Sequence, residues 1–555
     1  MPRSRIRLWS RSLRIPAAAL LAAVLVVTGT AIPVSASAVT GTIYGELIDT
    51  AQWGKRAFAQ VTVTNLATGA RSSAGHDRQY TLTVYPGRYL LEVDISCYAT
   101  GTVFGRTCVT PLYPGDTAQR SEARIITVEA GDTIRADITT RPGGSISGTI
   151  ANHAGEEFGA SAQAFLIDPS TGKPGSWMRH SIARPEGGYV LTGLPAGDYL
   201  VKFVASSNDA IVAASYWDDA GWLSDAQHVT IADESVPVTG IDGAIGDIDI
   251  SAYRYSGADR FEMAAGIARE YPDDTDLVLV ANGLNFPDAL SAGPVAARFG
   301  APILLVTPDS VPPAVVAELR RMSPEKIMVV GGPRSVGDVV YRQLAAYSGS
   351  IERIAGADRF EASRNLVSAG FDTTKTIYLA TGHKFPDALS AGAAAAYEGA
   401  PVLLVDGTLG TIDQATSELI SRLGVERIVV VGGHVSVTVD LYASLATIPG
   451  VLETSRIDGY DRYLAASQLN DATFPAADTV FLATGMNFPD ALAGGPLAGA
   501  WGAPIYLVEH DCIPEYVLMD IWALHPREIV VLGGPASVSD DVLNLVSCGP
   551  WGGVG

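Results

Sequence analysis

The sequence predicts a multidomain protein with two all-β sandwiches followed by three α/β open parallel-sheet modules of the flavodoxin-like or Rossmann-like kind. At 555 residues the chain is too long to fold around a single hydrophobic core. The N-terminal half alternates short strands with turn residues, and the C-terminal half repeats four motifs three times in one order. We therefore expect boundaries at 1–38, 39–140, 141–247, 251–350, 351–452 and 453–550.

The two β units are related to each other in sequence. Glycine-led strands at 41–47 and 144–150 open them, and similar hairpins at 80–89 and 189–199 follow. Pro-Gly and Pro-Ala-Gly turns redirect each hairpin before a tyrosine, Tyr89 or Tyr199, which we expect in a core. The hairpins resemble those of carboxypeptidase regulatory-like, transthyretin-like sandwich domains. That resemblance implies spacers or weak ligand-binding platforms.

The first 38 residues have the pattern of a secretory signal peptide. Five arginines precede an apolar run at 15–27, and a small-residue tripeptide at 36–38 offers a cleavage site. The alternative is an uncleaved membrane anchor, but the run is shorter than the ~20 residues that a spanning helix needs. Since the C-terminus has no hydrophobic tail or LPxTG motif, we expect no other tether after export.

Four cysteines fit an exported protein. Cys97 and Cys108 lie in the first β domain, whereas Cys512 and Cys548 lie in the last C-terminal repeat. An even number paired by domain indicates two disulfides in an oxidising compartment. A zinc site is the alternative, but no CxxC spacing or histidine cluster supports it.

The net charge of −21 argues against nucleic acid as a partner. It also argues against attraction of the whole protein to an anionic polymer. Binding to such a polymer would need local basic clusters, divalent cations or contacts with neutral sugars.

Four motifs recur three times in the C-terminal half. They are Gly-x-Asp-Arg-Phe/Tyr, Gly-x-Asn/Lys-Phe-Pro-Asp-Ala-Leu, Gly-Ala-Pro followed by an apolar run, and Val-Val/Leu-Gly-Gly. The first motif begins at Gly257, Gly356 and Gly459. Between the motifs, short apolar runs such as 277–280, 303–306 and 327–330 alternate with helical stretches such as 260–270 and 312–322. This alternation predicts parallel strands with helices on both faces of the sheet.

The combination of these motifs resembles the cell wall-binding repeat 2 family over 253–548. The family is found on surface-layer and secreted proteins of Gram-positive bacteria, and members usually carry three repeats. The resemblance implies non-covalent anchoring to the cell wall, in some members through an anionic wall polymer. We accordingly expect a protein of the cell surface that has a wall glycan polymer as its partner and no membrane contact after signal cleavage.

The repeated arginines are the first candidates for polymer binding. A guanidinium is a planar fork suited to phosphate or carboxylate, so Arg260, Arg359 and Arg462 could each meet one anionic unit. The alternative is that each pairs with the preceding aspartate or with a neighbouring repeat and fixes the packing. Both interpretations stay open at the level of sequence.

The second candidates are Asn285, Lys384 and Asn487. They follow strands of the predicted sheets, and open α/β sheets bind ligands at the carboxyl ends of strands. The Pro-Asp that follows is expected to begin a helix. The double glycines are expected to form tight turns, with Ser335, Ser436 and Ser537 capping the next helix.

The sequence favours a binding protein over an enzyme. It has no HExxH, no Gly-x-Ser-x-Gly and no histidine that recurs in the repeats, so we expect no catalytic or metal site and no cofactor. Two alternatives remain: a peptidoglycan hydrolase or amidase accessory protein, and an adhesin that uses its β-sandwich domains. The sequence does not determine an oligomeric state.

Overall fold

A computed structural model describes residues 4–6, 40–49, 57–66, 71–76, 79–97, 124–140, 143–152, 159–169, 172–184, 186–207, 210–218, 222–245, 250–285, 287–487 and 489–549. The predicted signal peptide lies outside these residues, apart from a short strand at Ser4–Ile6. None of the described helices is long and apolar enough to cross a membrane.

The N-terminal region is built from strands. In chain order they are β1 (Ser4–Ile6), β2 (Gly41–Asp49), β3 (Ala57–Asn65), β4 (Arg71–His76), β5 (Gln79–Val84), β6 (Gly87–Cys97), β7 (Ile126–Val128), β8 (Thr133–Arg135), β9 (Ile138–Thr140), β10 (Gly144–Asn152), β11 (Gly159–Ile167), β12 (Pro174–Ile182), β13 (Gly188–Leu194), β14 (Gly197–Ser207), β15 (Ala210–Tyr216), β16 (His228–Ile231), β17 (Val238–Thr239) and β18 (Gly243–Ile245). A 3-10 turn spans Leu223–Asp225.

These strands form two pairs of sheets. One pair joins β5-β2-β8/β9 and β4-β3-β6-β7, and the other joins β13-β10-β17/β18 and β12-β11-β14-β15/β16. Each pair encloses its own cluster of buried side chains. Tyr89 and Tyr199 are buried in these clusters as predicted, and their hydroxyls donate to the carbonyls of Tyr85 and Pro195 in the preceding turns.

The C-terminal region alternates strands and helices. Its strands are β19 (Ile250–Tyr255), β20 (Leu277–Asn282), β21 (Ile303–Val306), β22 (Lys326–Val330), β23 (Ser350–Ile354), β24 (Thr376–Thr381), β25 (Val402–Val405), β26 (Arg427–Val431), β27 (Glu453–Ile457), β28 (Thr479–Thr484), β29 (Ile505–Val508) and β30 (Glu528–Leu532). Its helices are α1 (Arg260–Ala268), α2 (Pro287–Leu290), α3 (Ala292–Arg298), α4 (Pro313–Met322), α5 (Asp338–Leu344), α6 (Arg359–Gly370), α7 (Pro386–Tyr397), α8 (Gln414–Leu423), α9 (Val439–Leu445), α10 (Arg462–Thr473), α11 (Pro489–Ala500), α12 (Glu515–Leu524) and α13 (Asp540–Leu543), with a 3-10 turn at Ala345–Tyr347.

Each repeat forms a parallel sheet, as predicted, but the sheets are shared between repeats. The parallel strands are ordered β21-β20-β22-β23, β25-β24-β26-β27 and β29-β28-β30-β19, and the short strand β1 pairs antiparallel with the other edge of β19. In the first two sheets the last strand leads into the next repeat, and in the third that strand is β19, which precedes the first repeat. The pairing of β19 with β30 is parallel over Ser251–Tyr255. The three repeats therefore close into a ring.

Small side chains meet at the centre of the ring. Helices α3, α7 and α11 pack against one another, and a Cβ atom added at Gly499 would lie 2.4 Å from the Cβ of Ala396 and 3.2 Å from that of Ala297. These three residues occupy the same position in the three repeats. One buried cluster extends through all three repeats, so they share a core.

The second pair of sheets rests on the third repeat. Lys202 of β14 is buried, and its ammonium group donates to the carbonyls of Ala523 and Leu524 at the end of α12. The Asp478 carboxylate accepts from the backbone N–H groups of Leu223 and Ser224 at 2.6 and 2.8 Å. Because the buried Lys202 ammonium needs these carbonyl acceptors, the contact fixes the β region on the ring.

The first pair of sheets touches the second repeat. The Arg88 guanidinium donates to the Val451 carbonyl at 2.7 Å, and the Thr454 N–H donates to the Leu66 carbonyl at 2.8 Å. Nearby, the Lys173 ammonium of the second pair donates to the Tyr397 carbonyl at 2.6 Å.

One of the two predicted disulfides is present in the structure. Cys512 and Cys548 are bonded, with their Cα atoms 4.9 Å apart. The predicted Cys97–Cys108 pair lies outside the residues whose side chains the structure describes.

Candidate functional site

The aspartate of each Gly-x-Asp-Arg motif caps a helix. Asp259 Oδ1 accepts from the N–H groups of residues 261 and 262 at 2.9 Å, and Asp358 does the same for α6. Asp461 accepts from the N–H of Leu464 at 2.8 Å. This position needs a short side-chain acceptor with extended backbone, which explains why aspartate recurs there.

The arginine that follows joins two motifs of one repeat. The guanidinium Nη1 atoms of Arg260 and Arg359 donate to the carbonyls of Gly283 and Gly382 at 2.8 and 2.7 Å. Arg462 donates in the same way to the Gly485 carbonyl. Each of these glycines directly follows a central strand of its sheet. The arginine is therefore held at the carboxyl edge of the sheet. The three side chains remain partly exposed.

The arginines also face the preceding repeat around the ring. The guanidinium of Arg462 lies 5.9 Å from the centre of the Phe385 ring in the second repeat. The positive charge of Arg462 acts on Asp387 of the second repeat, and that of Arg260 acts on Asp490 of the third. The sequence left two roles open for these arginines, packing between repeats and contact with an anion. One partly exposed guanidinium at a junction between repeats is compatible with both roles.

The structure shows a cavity at one junction between repeats, and the internal repeat leads us to expect an equivalent groove at each of the other two. We name them by the repeats on either side: the 3–1 groove, the 1–2 groove and the 2–3 groove. The 3–1 groove holds a cavity of about 180 Å³. It is lined on one side by Ala258, Asp259 and Arg260 and on the other by Asn487, Asp490, Ala536 and Ser537.

The aspartate of the Phe-Pro-Asp motif lies at the floor of the groove. Burial raises the pKa values of Asp387 and Asp490, although hydrogen bonds from Ser436 and Ser537 and the arginine across the groove oppose the rise. The double glycine makes room for this carboxylate: a Cβ atom at Gly432 would lie 2.4 Å from Asp387 Oδ2. The side chain of the corresponding Asp288 lies outside the described part of the structure.

The prediction that the serine after the double glycine caps the next helix is wrong. The N-cap residues of α5, α9 and α13 are Gly337, Thr438 and Ser539. Ser436 and Ser537 instead bond the groove aspartates. The helices start later than the spacing suggested because each serine belongs to the turn that follows Gly-Gly, in which its N–H donates to the second glycine's carbonyl.

Asn285, Lys384 and Asn487 are exposed at the carboxyl ends of their sheets. Asn487 lines the 3–1 groove, and the positive charge of Lys384 lowers the pKa of Asp387. The structure thus places Asn487 in one cavity with Arg260, and Lys384 and Arg462 around Asp387; Asn285 has the equivalent position in the first repeat. A binding surface assembled from two repeats at a time was not visible in the sequence.

The third repeat differs from the other two at its first motif. In the first two, the carboxylates of Glu262 and Glu361 accept from the N–H groups of Ala258 and Ala357 at 3.0 and 2.6 Å. Leu464 occupies that position in the third repeat and cannot accept. Tyr460, in the position of the two alanines, is 79% exposed.

Over the described ranges, no group of three or more His, Cys, Asp or Glu residues is placed to hold a metal ion. The observed cavity combines the guanidinium of Arg260 and the amide of Asn487 with the carboxylates of Asp259 and Asp490 and with small neutral side chains.

The C-terminal region is thus a ring of three tandem α/β domains with a cavity between two of them. Residues 254–341, 353–441 and 456–543 match the family described as Cell wall binding domain 2 (CWB2). The C-terminal half of the chain therefore belongs to this family, which confirms the resemblance found in the sequence.

Two relatives from Bacillus subtilis share sequence with the chain. It is 27% identical over 296 residues to N-acetylmuramoyl-L-alanine amidase LytC, covering 53% of this chain and 58% of that protein. It is 26% identical over 347 residues to an amidase enhancer, covering 62% of this chain and 46% of that protein. The chain thus spans about half the length of these two relatives.

Two solved structures from Clostridium difficile are also similar. Cwp6 is 20% identical with a TM-score of 0.49, over 70% of this chain and 64% of that one. Cwp8 is 18% identical with a TM-score of 0.49, over 83% and 89%. The assignment itself rests on the three family matches and on the internal repeat.

Proposed function

We propose that this protein is a secreted surface protein that holds itself non-covalently to the Gram-positive cell wall, with an anionic wall polymer lying across the three grooves. The observation that carries the proposal is the repeated pairing of an arginine from one repeat with a donor at the sheet edge of its neighbour. Arg260 and Asn487 line one cavity, and Arg462 and Lys384 both act on Asp387. From the sequence repeat we expect Arg359 and Asn285 to form the third pair.

The overall acidity is compatible with this proposal. Although the chain has a net charge of −21, the groove aspartates Asp387 and Asp490 are only partly exposed, and burial raises their pKa values. A polymer therefore meets the arginine and the asparagine or lysine first. Three weak sites on one rigid ring bind one chain much more tightly than a single site does, because the second and third contacts are intramolecular.

In this proposal the N-terminal region forms two β-sandwich spacers, at 39–140 and 141–247, that the ring carries on the wall. The predicted signal peptide at 1–38 supports export, and the oxidised Cys512–Cys548 pair is compatible with it. The three wall-binding units would be 251–350, 351–452 and 453–550.

A second proposal is an accessory role beside a wall amidase. It is supported by the similarity to the amidase enhancer. The shared region supports wall binding in both cases, so the two proposals differ in what the remaining β region does.

The test is co-sedimentation of the full chain with isolated Gram-positive walls, before and after acid extraction of their anionic polymers. We expect binding to intact walls and its loss after extraction. Lys384→Ala should weaken binding about two- to tenfold, with a smaller effect at high salt. The matched control is Lys375→Ala, since that exposed lysine pairs with Glu426 at the opposite end of the same sheet.

Unchanged sedimentation with extracted walls would rule out the anionic polymer as the ligand. Failure of the folded chain to bind either preparation would overturn wall anchoring altogether. Release of peptide-linked fragments from walls by the purified protein would indicate that it is an enzyme.

A further inference from the structure

The three grooves are not equivalent in chemistry. In the 3–1 groove the cavity is lined by two alanines, Ala258 and Ala536. The same two positions are Ala357 and Arg334 in the 1–2 groove, and Tyr460 and Val435 in the 2–3 groove. The 2–3 groove alone therefore has two larger apolar side chains at the positions that line the cavity.

Both of these side chains face solvent. Tyr460 is 79% exposed and Val435 is 85% exposed. Most large apolar side chains of the ring are buried in the shared core, and an isolated exposed residue would need no explanation. Here the repeat symmetry puts two exposed apolar side chains at positions equivalent to Ala258 and Ala536, which line the observed cavity. They therefore lie beside a groove that the proposed function assigns to the polymer.

The tyrosine lies close to Tyr516 of α12. The Tyr516 hydroxyl donates to Asp461 Oδ1 at 3.4 Å, so Tyr516 is tied to the residue that follows Tyr460. A neighbour that restricts an exposed ring before binding reduces the conformational entropy that a ligand must overcome. In the other two repeats an alanine leaves no side chain to be restricted in this way.

Two cationic donors lie next to this apolar pair, together with the carboxylates of Asp387 and Asp461. Lys384 is exposed at the edge of the second sheet, and Arg462 lies over the Phe385 ring. A ligand that fits must present an apolar face to a ring and an anionic group a few ångströms away. A pyranose ring has such a face, formed by its C–H groups, and a sugar attached to a phosphate-bearing chain supplies the anion.

We infer that the 2–3 groove binds a glycosyl unit of the anionic wall polymer, with the sugar ring against Tyr460 and Val435 and the charged backbone at Lys384 and Arg462. This inference rests on the proposed function. The other two grooves contact the backbone of the polymer and add affinity without distinguishing the sugar.

The test compares the full chain and its Tyr460→Ala variant on two wall preparations. Periodate followed by borohydride opens sugar rings that carry vicinal diols and leaves the 1,4-linked amino-sugar backbone of peptidoglycan intact. Only walls whose phosphate content is unchanged by the treatment are used. The variant installs the residue that the other two repeats carry, so its fold is preserved.

We expect Tyr460→Ala to bind untreated walls about five- to tenfold more weakly than the unaltered protein. On oxidised walls the two proteins should bind equally, because the ring that Tyr460 contacts is gone. Tyr460→Phe should retain most of the affinity. Tyr85→Ala, which removes a tyrosine that is 65% exposed on the first pair of sheets, should have no effect.

Equal binding of Tyr460→Ala and the unaltered protein to untreated walls, while Lys384→Ala is weakened, would overturn the sugar site and leave the wall anchor standing. A deficit of Tyr460→Ala that persists undiminished on oxidised walls would also overturn it. Failure of the unaltered protein to bind untreated walls would instead refute the proposed function.

Discussion

Two carboxyl groups of the third repeat occupy the positions of an ion pair in the first. In the first repeat Arg269 Nε lies 3.1 Å from Glu318 Oε1. Asp471 stands nine residues after Arg462, as Arg269 does after Arg260, and Asp520 stands in α12 where Glu318 stands in α4. Burial and the nearby charge of Asp471 raise the pKa of Asp520 to about 7, against an opposing hydrogen bond from Ser467.

The raised pKa makes stability depend on pH. The folded state binds a proton at Asp520 that the unfolded state has already released, so this contribution is complete below about pH 4 and is lost as pH rises through about 7. The full shift from the ordinary value of 3.8 corresponds to about 4 kcal/mol. Because Asp520 is only partly buried, solvent screening reduces the expected loss to about 1–2 kcal/mol.

The perturbation that tests this is Asp471→Arg, which recreates the pair of the first repeat. We expect the free energy of unfolding to rise by about 1–2 kcal/mol at pH 8, where both aspartates are otherwise ionised. At pH 5 the gain should be less than half as large, since Asp520 is then protonated. Urea unfolding followed by tryptophan fluorescence, to which Trp522 in α12 contributes, measures both values.

Two controls separate attraction from relief of repulsion. Asp471→Asn removes the like charge without adding a cation and should give a smaller gain at pH 8. Arg269→Asp places the carboxyl pair in the first repeat and should lower stability there, although Arg321 still contacts Glu318 at 2.7 Å. A gain from Asp471→Arg that is the same at pH 5 and pH 8, or a loss at both, would refute the reasoning.

Three further predictions concern the ring and its contact with the β region. Replacing Cys512 and Cys548 by serine should lower the free energy of unfolding by about 3–4 kcal/mol, because the bond closes a 36-residue separation; reductant should reproduce this in the unaltered protein. Gly432→Ala should cost about 1–3 kcal/mol in chemical denaturation, because φ is +115° and the new Cβ meets a carboxylate, whereas Gly433→Ala should cost far less. Burial lowers the pKa of Lys202 to about 7, so stability should fall as pH drops from about 10 toward 7, and thermal melts of Lys202→Met should lack this dependence.

Much of the ring could be predicted from sequence because its signals are local. Buried runs such as 303–306 have every residue facing a core, which indicates a strand covered on both faces. The repetition of motifs fixed the number of modules, and the tyrosines after the hairpin turns were expected in cores. Each of these inferences depends on residues close together in the chain.

The closure of the ring and the shared grooves could not be predicted in the same way. A repeat fixes the period of a pattern but not which copy a strand pairs with, so the assignment of β23 to the first sheet is invisible in the motifs. One signal was available: 386–397 is an alanine-rich helix with almost no polar face. A helix that is apolar all round is buried on all sides, which here means the centre of the ring.

The residues of the candidate site were predicted from the sequence, but their arrangement in space was not. The sequence named the arginines and the sheet-edge residues separately, and the structure brings them together across the junctions between repeats. The serine caps failed because the serines bond carboxylates that lie about fifty residues away in the chain, as Ser436 does with Asp387. Propensity describes neighbours in sequence and contains no information about such contacts.

The pairing of β19 with β30 has a consequence for the order of folding. Ser251 pairs with Glu528, so the strand that enters the ring first must wait until nearly all of the remaining chain has been synthesised. Until then β30 is missing and β19 presents an unpaired edge, which is a hazard for association with other chains. Ring closure is the last step and joins the most distant parts of the sequence. We therefore expect it to limit the rate of folding. A chain truncated before residue 528 would keep the complete sheets of the first two repeats and lose β30, the parallel partner of β19.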